Sequence, residues 1–208
     1  PVRAEGTIAV SASVDSIMFS SSSVEVTSSG TGMYMTNGSY LEGGELELEN
    51  KTAGTSAAGI YYEGTGNEVD HNTDIEVTTG ENLLALYANG LKLNNNKEIL
   101  IKKGKNNVAA YITGNSTFRN KGKIQLGHPT QNDFESGIGV YVVDGEAINE
   151  SGKTIDIYDF ENTASGGSLS VGMLANAASG KTAKVTNKGT INANGEVIGM
   201  VVEDNSEG

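Results

Sequence analysis

"VAAYITGNSTFRNKGKIQL", residues 108–126, holds one full turn of a pattern that this chain repeats. An apolar segment built on Tyr111 comes first, then a short run "STF", a polar turn "NKG" and a second apolar segment "KIQL". The turn returns as "NKGTI" at 187–191 and, with two residues inserted, as "NESGKTI" at 149–155. A unit that recurs at a confined spacing is the mark of a repeat architecture, and it decides the reading of everything around it.

Seven segments align on the first element: "GMYM", "GIYY", "ALYA", "AAYI", "GVYV", "GMLA" and "GMVV". Their third residues, the anchors, are Tyr34, Tyr61, Tyr87, Tyr111, Tyr141, Leu174 and Val201. The columns three before, one before and one after the anchor are apolar or aromatic apart from Thr31. Residues two apart share one face of a strand, so these three columns are expected to face a core. The column two before the anchor is always Gly or Ala and, with the anchor itself, is expected to point outward.

A second strand follows most anchors: "ELELE" (45–49), "DIEV" (74–77), "EILI" (98–101), "KIQL" (123–126), "TIDI" (154–157) and "TINA" (190–193). The N-terminal "TIAV" (7–10) is assigned to the same set. The inward pairs are Leu46/Leu48, Ile75/Val77, Ile99/Ile101, Ile124/Leu126, Ile155/Ile157 and Ile191/Ala193. Between the two strands lies a weaker third: "SYL", "LKL", "STF", "AKV". "NKG" is the turn into the second strand, with Gly expected to supply positive φ and Asn a local hydrogen bond.

Strands of fixed type in fixed order can stack in parallel, like residue above like. Parallel sheets usually read as continuous apolar runs, whereas these strands alternate. Both features hold if the sheet wraps around its own core. The reading is an all-β, right-handed parallel β-helix of about seven irregular coils, roughly 30–35 Å long, with residues 1–208 as one segment of a longer chain. Propeller blades need about 40–45 residues, a β-sandwich predicts no fixed order of strand types, and no segment carries helical periodicity.

Composition narrows the function. The formal net charge is −12, the reverse of a nucleic-acid footprint. There is no cysteine, so no disulfide framework and no thiolate metal site. No apolar run approaches the ~20 residues of a membrane helix, so no direct membrane insertion of this segment is expected.

The stretches "GIGVYV…AINESGKTI" and "VGMLA…KVTNKGTI" resemble the passenger regions of large autotransporter (type V secretion) adhesins, especially the very long fusobacterial ones. The resemblance is one of repeat style and covers most of the chain. It implies a β-helix passenger on the bacterial cell surface, adhering to other bacteria or host cells through a protein or glycan receptor. It also implies anchoring through an outer-membrane barrel outside this segment.

No catalytic signature is found, and no cofactor or metal site is assigned. His71 and His128 are read as exposed loop histidines, and no "GxSxG" string accompanies them. The acids Asp74 with Glu76, and Asp156 with Asp159, could serve as glycosidase-like pairs, and Asp70 with Asp74 could meet a cation. Outer-face solvation is the default for all of them. Lys97, Lys102, Lys103 and Lys105 form a loose basic cluster.

The candidate contact surface is the column Tyr34, Tyr61, Tyr87, Tyr111 and Tyr141, expected as an outer ladder beside a shallow Gly/Ala groove. Its structural reading is that the rings cover glycine backbone and stack. Its functional reading is a binding strip. The long excursions 11–30, 127–137 and 158–170 are further candidates for binding. The function expected is a non-enzymatic adhesin segment, acting as rigid stalk, binding surface or both. The rivals are a carbohydrate-active enzyme or phage tailspike on the same fold, and a purely structural surface fibre module.

Overall fold

Three strands recur in each turn of the chain because three apolar patterns recur, and each builds its own ladder. The computed structural model describes residues 2–5, 8–12, 16–18, 22–27, 30–36, 38–49, 56–160, 169–203 and 206–207. Among these there is no helix, and every strand-to-strand ladder is parallel. The chain is a parallel β-helix.

The anchor strands form an eight-stranded sheet. Its register sets Tyr34 against Tyr61, Tyr61 against Tyr87, Tyr87 against Tyr111 and Tyr111 against Tyr141. Leu174 and Val201 continue the same column. The eighth strand is Ile8–Ala12, which pairs with Thr31–Thr36. This corrects the assignment of "TIAV" to the second-strand set. Ser11 stands at the anchor position there, so the strand lacks the tyrosine that marks most of its relatives.

The closing strands and the intervening strands belong to one sixteen-stranded sheet. The reason is the fourteen-residue strand Glu68–Glu81. Its start pairs with the intervening strand Lys92–Asn95, its middle with the closing strand Glu98–Ile101 and its end with Gly104–Lys105. This strand runs round the coil and joins the two faces, as Tyr40–Glu49 does one coil earlier, where its start pairs with Ser16–Met18 and its end with Ser22–Thr27.

The core is the bore of this helix. The closing-strand pairs from Leu46/Leu48 to Ile155/Ile157 are buried and stack in register. Val69, Leu93, Phe118, Ala147 and Val185 do the same on the intervening face. Each buried aliphatic contributes about 1.5–3 kcal/mol relative to exposure. The last described coil is less covered: Ile191 packs on the core only in part, and Ile198, Val202 and Ala193 are exposed.

The anchor strand departs from simple alternation. The residues one before and one after the anchor are buried from Met33/Met35 to Met173/Ala175. The column three before is mixed: Val108 and Val171 are buried, whereas Thr31, Ala58, Leu84 and Ile138 are partly exposed and Ile198 is exposed. The Gly/Ala column points inward instead, with Ala85 and Ala109 fully buried. Strand pairing skips this residue from rung to rung, and the chain bends there, so two successive residues face in. A Cβ on Gly59 would lie 2.3 Å from Leu48 Cδ1, and one on Gly172 would lie 2.7 Å from Ile191 Cγ2. Small residues fill this column because the closing-strand aliphatics occupy the corner. Among the described residues, the Gly/Ala column therefore does not open a groove beside the tyrosines.

The glycine of "NKG" is also explained differently. Gly122 and Gly189 do not have positive φ, although Gly152 in the lengthened turn does, at 74°. A Cβ on Gly122 would stand 2.0 Å from the Lys97 carbonyl oxygen, and one on Gly189 would stand 2.3 Å from that of Lys153. Close backbone approach between coils is the requirement. The excursion 11–30 carries the strands Ser16–Met18 and Ser22–Thr27, the second of which takes the closing-strand place beneath Leu46 and Leu48. In the excursion 127–137, Phe134 returns to the core. Of the excursion 158–170, residues 161–168 lie outside the described residues.

Candidate functional site

The five tyrosines form a continuous half-buried ladder on the outer side of the anchor sheet. Tyr61 and Tyr87 stack with centroids 4.4 Å apart and planes 12° apart, and Tyr87 and Tyr111 stack at 5.1 Å and 22°. Tyr34 tilts against Tyr61, and Tyr141 meets Tyr111 edge-on. The stacked faces are turned to each other, so the middle of the stripe presents ring rims and hydroxyls to its surroundings.

Several of those hydroxyls are held by the next coil, through the residue two after its anchor. The Tyr34 hydroxyl donates to Glu63, Asn89 Nδ2 donates to the Tyr61 hydroxyl at 3.0 Å, and Asn176 hydrogen-bonds Tyr141. Asn89 Nδ2 also reaches Glu63 Oε1 at 3.3 Å. The bond to the Glu63 carboxylate, helped by partial burial, pushes the Tyr34 phenol up to about 12. Burial pushes Tyr87 up to about 12 as well and raises Tyr111 and Tyr141. At neutral pH Tyr34, Tyr87, Tyr111 and Tyr141 are therefore protonated phenols.

A second ladder runs inside the bore, at the end of the intervening strand. Asn95, Asn120, Asn149 and Asn187 stand in register. The first three are fully buried. Asn95 Nδ2 donates to Asn120 Oδ1 at 3.1 Å, Asn120 to Asn149 at 2.9 Å, and Asn149 to Asn187 at 2.9 Å. Three of these amides also reach a carbonyl at the entry to a closing strand: Asn95 at Lys97, 3.0 Å away, Asn120 at Thr154, 3.4 Å, and Asn149 at Thr190, 3.3 Å. This is what the recurrent Asn of the "NKG" turn does. The column has a sequence signal, because Asn95, Asn120 and Asn187 each stand four residues before an inward isoleucine.

Of the acid pairs, Asp156 with Asp159 does not assemble, whereas Asp74 and Glu76 line one shallow cavity with Glu45, Lys97 and Glu98. Asp156 faces outward and accepts from Asn192 Nδ2 at 2.7 Å. Asp159 is buried and accepts from Ser170 Oγ at 2.6 Å and from the Ser136 amide at 3.2 Å. Their spacing of three puts them on opposite faces of one strand. Asp74 and Glu76 share a face. Asp74 accepts from the Glu98 amide at 2.9 Å, and Glu76 pairs with Lys102 at 2.5 Å. Asp70 and Asp74 lie within a strand, not on a loop, and Asp70 holds Asn94 Nδ2 at 2.9 Å. Among the described residues, no group of three or more His, Asp or Glu side chains is placed to hold a metal ion.

A family model described as the BigA third pectate lyase-like domain matches residues 3–207. The chain belongs to this family. No curated protein and no solved structure matches it. The match covers all three faces of the helix, so both ladders run within a single pectate lyase-like domain.

In this pectate lyase-like domain the two histidines have different fates. His128 sits in the 127–137 loop, where its Nδ1 meets the Thr130 hydroxyl at 3.0 Å. His71 is no exposed loop residue. It is fully buried within Glu68–Glu81 and stands in register with Asn95, at the foot of the asparagine ladder. "VDHNTD" looks like a polar loop because its neighbours alternate outward. The four basic residues of the loose cluster are all paired: Lys97 with Asp74, Lys102 with Glu76, Lys103 with Asp133 and Lys105 with Glu81. Such exposed pairs are each worth about 0–1 kcal/mol.

Proposed function

We propose that the chain is a non-enzymatic segment of a bacterial surface adhesin of the passenger type, working as a rigid stalk that also carries contact surface. The observation that carries this reading is the family match over residues 3–207, since BigA is an autotransporter-like adhesin. The fold supports it. Each coil is fastened to the next by backbone ladders, stacked tyrosines outside and stacked asparagines inside, which suits a load-bearing rod. In this reading the segment belongs to a chain held at the outer membrane by a barrel, in the manner of the long fusobacterial passengers. Its receptor is a protein or glycan on another cell.

The test is adhesion of beads coated with the folded chain to bacterial and host cells. Binding that is lost when the chain is unfolded supports the reading. In parallel, the chain is incubated with polygalacturonate and with bacterial and host polysaccharides. Sugar release abolished by Asp74→Asn with Glu76→Gln would replace the adhesin by a carbohydrate-active enzyme. A folded chain that binds no cell would reduce it to a structural fibre module.

A further inference from the structure

Every described rung of the interior polar ladder above residue 71 is an asparagine, a side chain that cannot charge. The exception is the lowest rung, His71. We propose that His71 is an acid-sensitive release point in the bore: protonation of its ring loosens the coils formed by residues 57–77 while the asparagine ladder beyond stays closed.

The geometry makes this rung different. His71 Nδ1 lies 2.9 Å from the Tyr62 hydroxyl, which comes across the bore from the anchor strand and is itself fully buried. The two rings meet edge-on at 6.0 Å. Where Tyr62 donates to Nδ1, the proton of the neutral ring sits on Nε2; in the other tautomer Nδ1 donates to Tyr62 and Nε2 is a bare acceptor. Nε2 is buried and has no hydrogen-bond partner. In either tautomer the neutral ring leaves one polar atom unmet, at a cost of about 1–3 kcal/mol. An imidazolium has two donors and a charge. Nδ1 could keep Tyr62 only by reversing that bond, and the Thr73 backbone is the one acceptor left to steady the ring.

The surroundings offer little compensation. From the coil above comes Asn95, whose Nδ2 donates to Asn120 and Lys97 and whose Oδ1 accepts from the Lys97 amide at 3.4 Å. The carboxylates of Glu68 and Asp70 on its own strand point outward and hold Asn94. Lys92, on the neighbouring strand, is exposed. Asp74 and the Thr73 backbone favour the cation, but burial outweighs both and pushes the imidazole down from 6.5 to about 4.

The sign follows from linkage. The folded value lies below the unfolded one, so the open state binds more protons between about pH 6.5 and 4. The contribution of His71 to closure is complete above about pH 6.5 and fades as pH falls toward 4. A shift of this size changes the opening equilibrium roughly 10²-fold.

The test compares the chain with His71→Asn, which installs the residue that the later rungs carry. Amide hydrogen exchange is followed from pH 7 down to about 4, corrected for the intrinsic rate. The proposal expects protection in residues 57–77 to fall by roughly 10²-fold more in the wild type than in the variant, with residues 116–126 unaffected. Equal pH dependence in both proteins would overturn it. A second measurement holds even if the variant folds poorly. In a His128→Gln background His71 is the only imidazole, and its ring resonances are titrated by NMR. A midpoint well below 6.5 supports the proposal, and a midpoint at or above it, with the fold intact, overturns it.

Discussion

Asn120 donates its side-chain N–H to Asn149 Oδ1, 2.9 Å away and one coil along, at a site where neither residue is exposed. Both sit in a bore lined mostly by apolar side chains. A buried amide of this kind is tolerated because its donor and acceptor are both used, and it then fixes register, since a slip by one residue would strand every rung.

Asn120→Ala is therefore expected to cost about 2–3 kcal/mol, because Asn149 Oδ1 loses its donor inside the core. Asn120→Leu is expected to be no better, since volume is restored but the neighbouring amides stay unmet. Urea denaturation with unchanged slope would measure both. A loss under about 0.5 kcal/mol would mean that the ladder is not closed in solution.

The inward Gly/Ala column makes a steric prediction. In Gly172→Ala the new Cβ would meet the Gly199 carbonyl oxygen at 2.3 Å and Ile191 Cγ2 at 2.7 Å. The expected cost is about 1–3 kcal/mol from overpacking. At Gly152, where nothing lies near the Cβ position, Gly152→Ala tests positive φ alone. The expected loss there is smaller, about 1 kcal/mol. Thermal melting of the two variants side by side distinguishes a crowded corner from a strained turn.

The tyrosine ladder predicts an alkaline signature. The chain has eight tyrosines and no tryptophan, so its near-ultraviolet absorbance reports phenol ionisation cleanly. Tyr34 and Tyr87 are held up at about 12 against an ordinary 10.0. A raised phenol means that the folded state keeps protons that the unfolded state has lost. Its stabilising contribution is therefore present below pH 10 and is lost as pH rises from 10 toward 12. Spectrophotometric titration should show a late-ionising group of tyrosines that merges into one transition near 10 in concentrated urea. Tyr87→Leu should shrink the late group and, by removing two ring contacts, cost about 1–2 kcal/mol.

The register of the anchor sheet was legible because like residues mark most rungs: Tyr61, Tyr87 and Tyr111 can be aligned by eye and do pair. The strand Ile8–Ala12 was misassigned because Ser11 occupies the tyrosine's place. Strict alternation carried the reading through Met33 and Met35 but failed at Gly59 and Gly172, where a bend turns two neighbours inward. Local sequence does not display a bend that is forced by side chains of another strand. His71 reads as an exposed loop residue for a related reason, although it is buried. It is polar among polar residues, and only its place four before Ile75, matching Asn95 before Ile99, shows that it belongs inside.

The claim on which all of this rests is that the coils stack along one axis in the stated register. Lys92, Thr117, Glu146 and Lys184 form one outer column of that stack. The most direct check is a set of spin-label pairs, with one label fixed at position 92 and the other at 117, 146 or 184. The account predicts label separations that lengthen by roughly 5 Å at each step, whatever the number of residues between them. Separations that fail to lengthen in that order, or that jump across a sheet-to-sheet gap of about 10 Å, would contradict a single-axis β-helix.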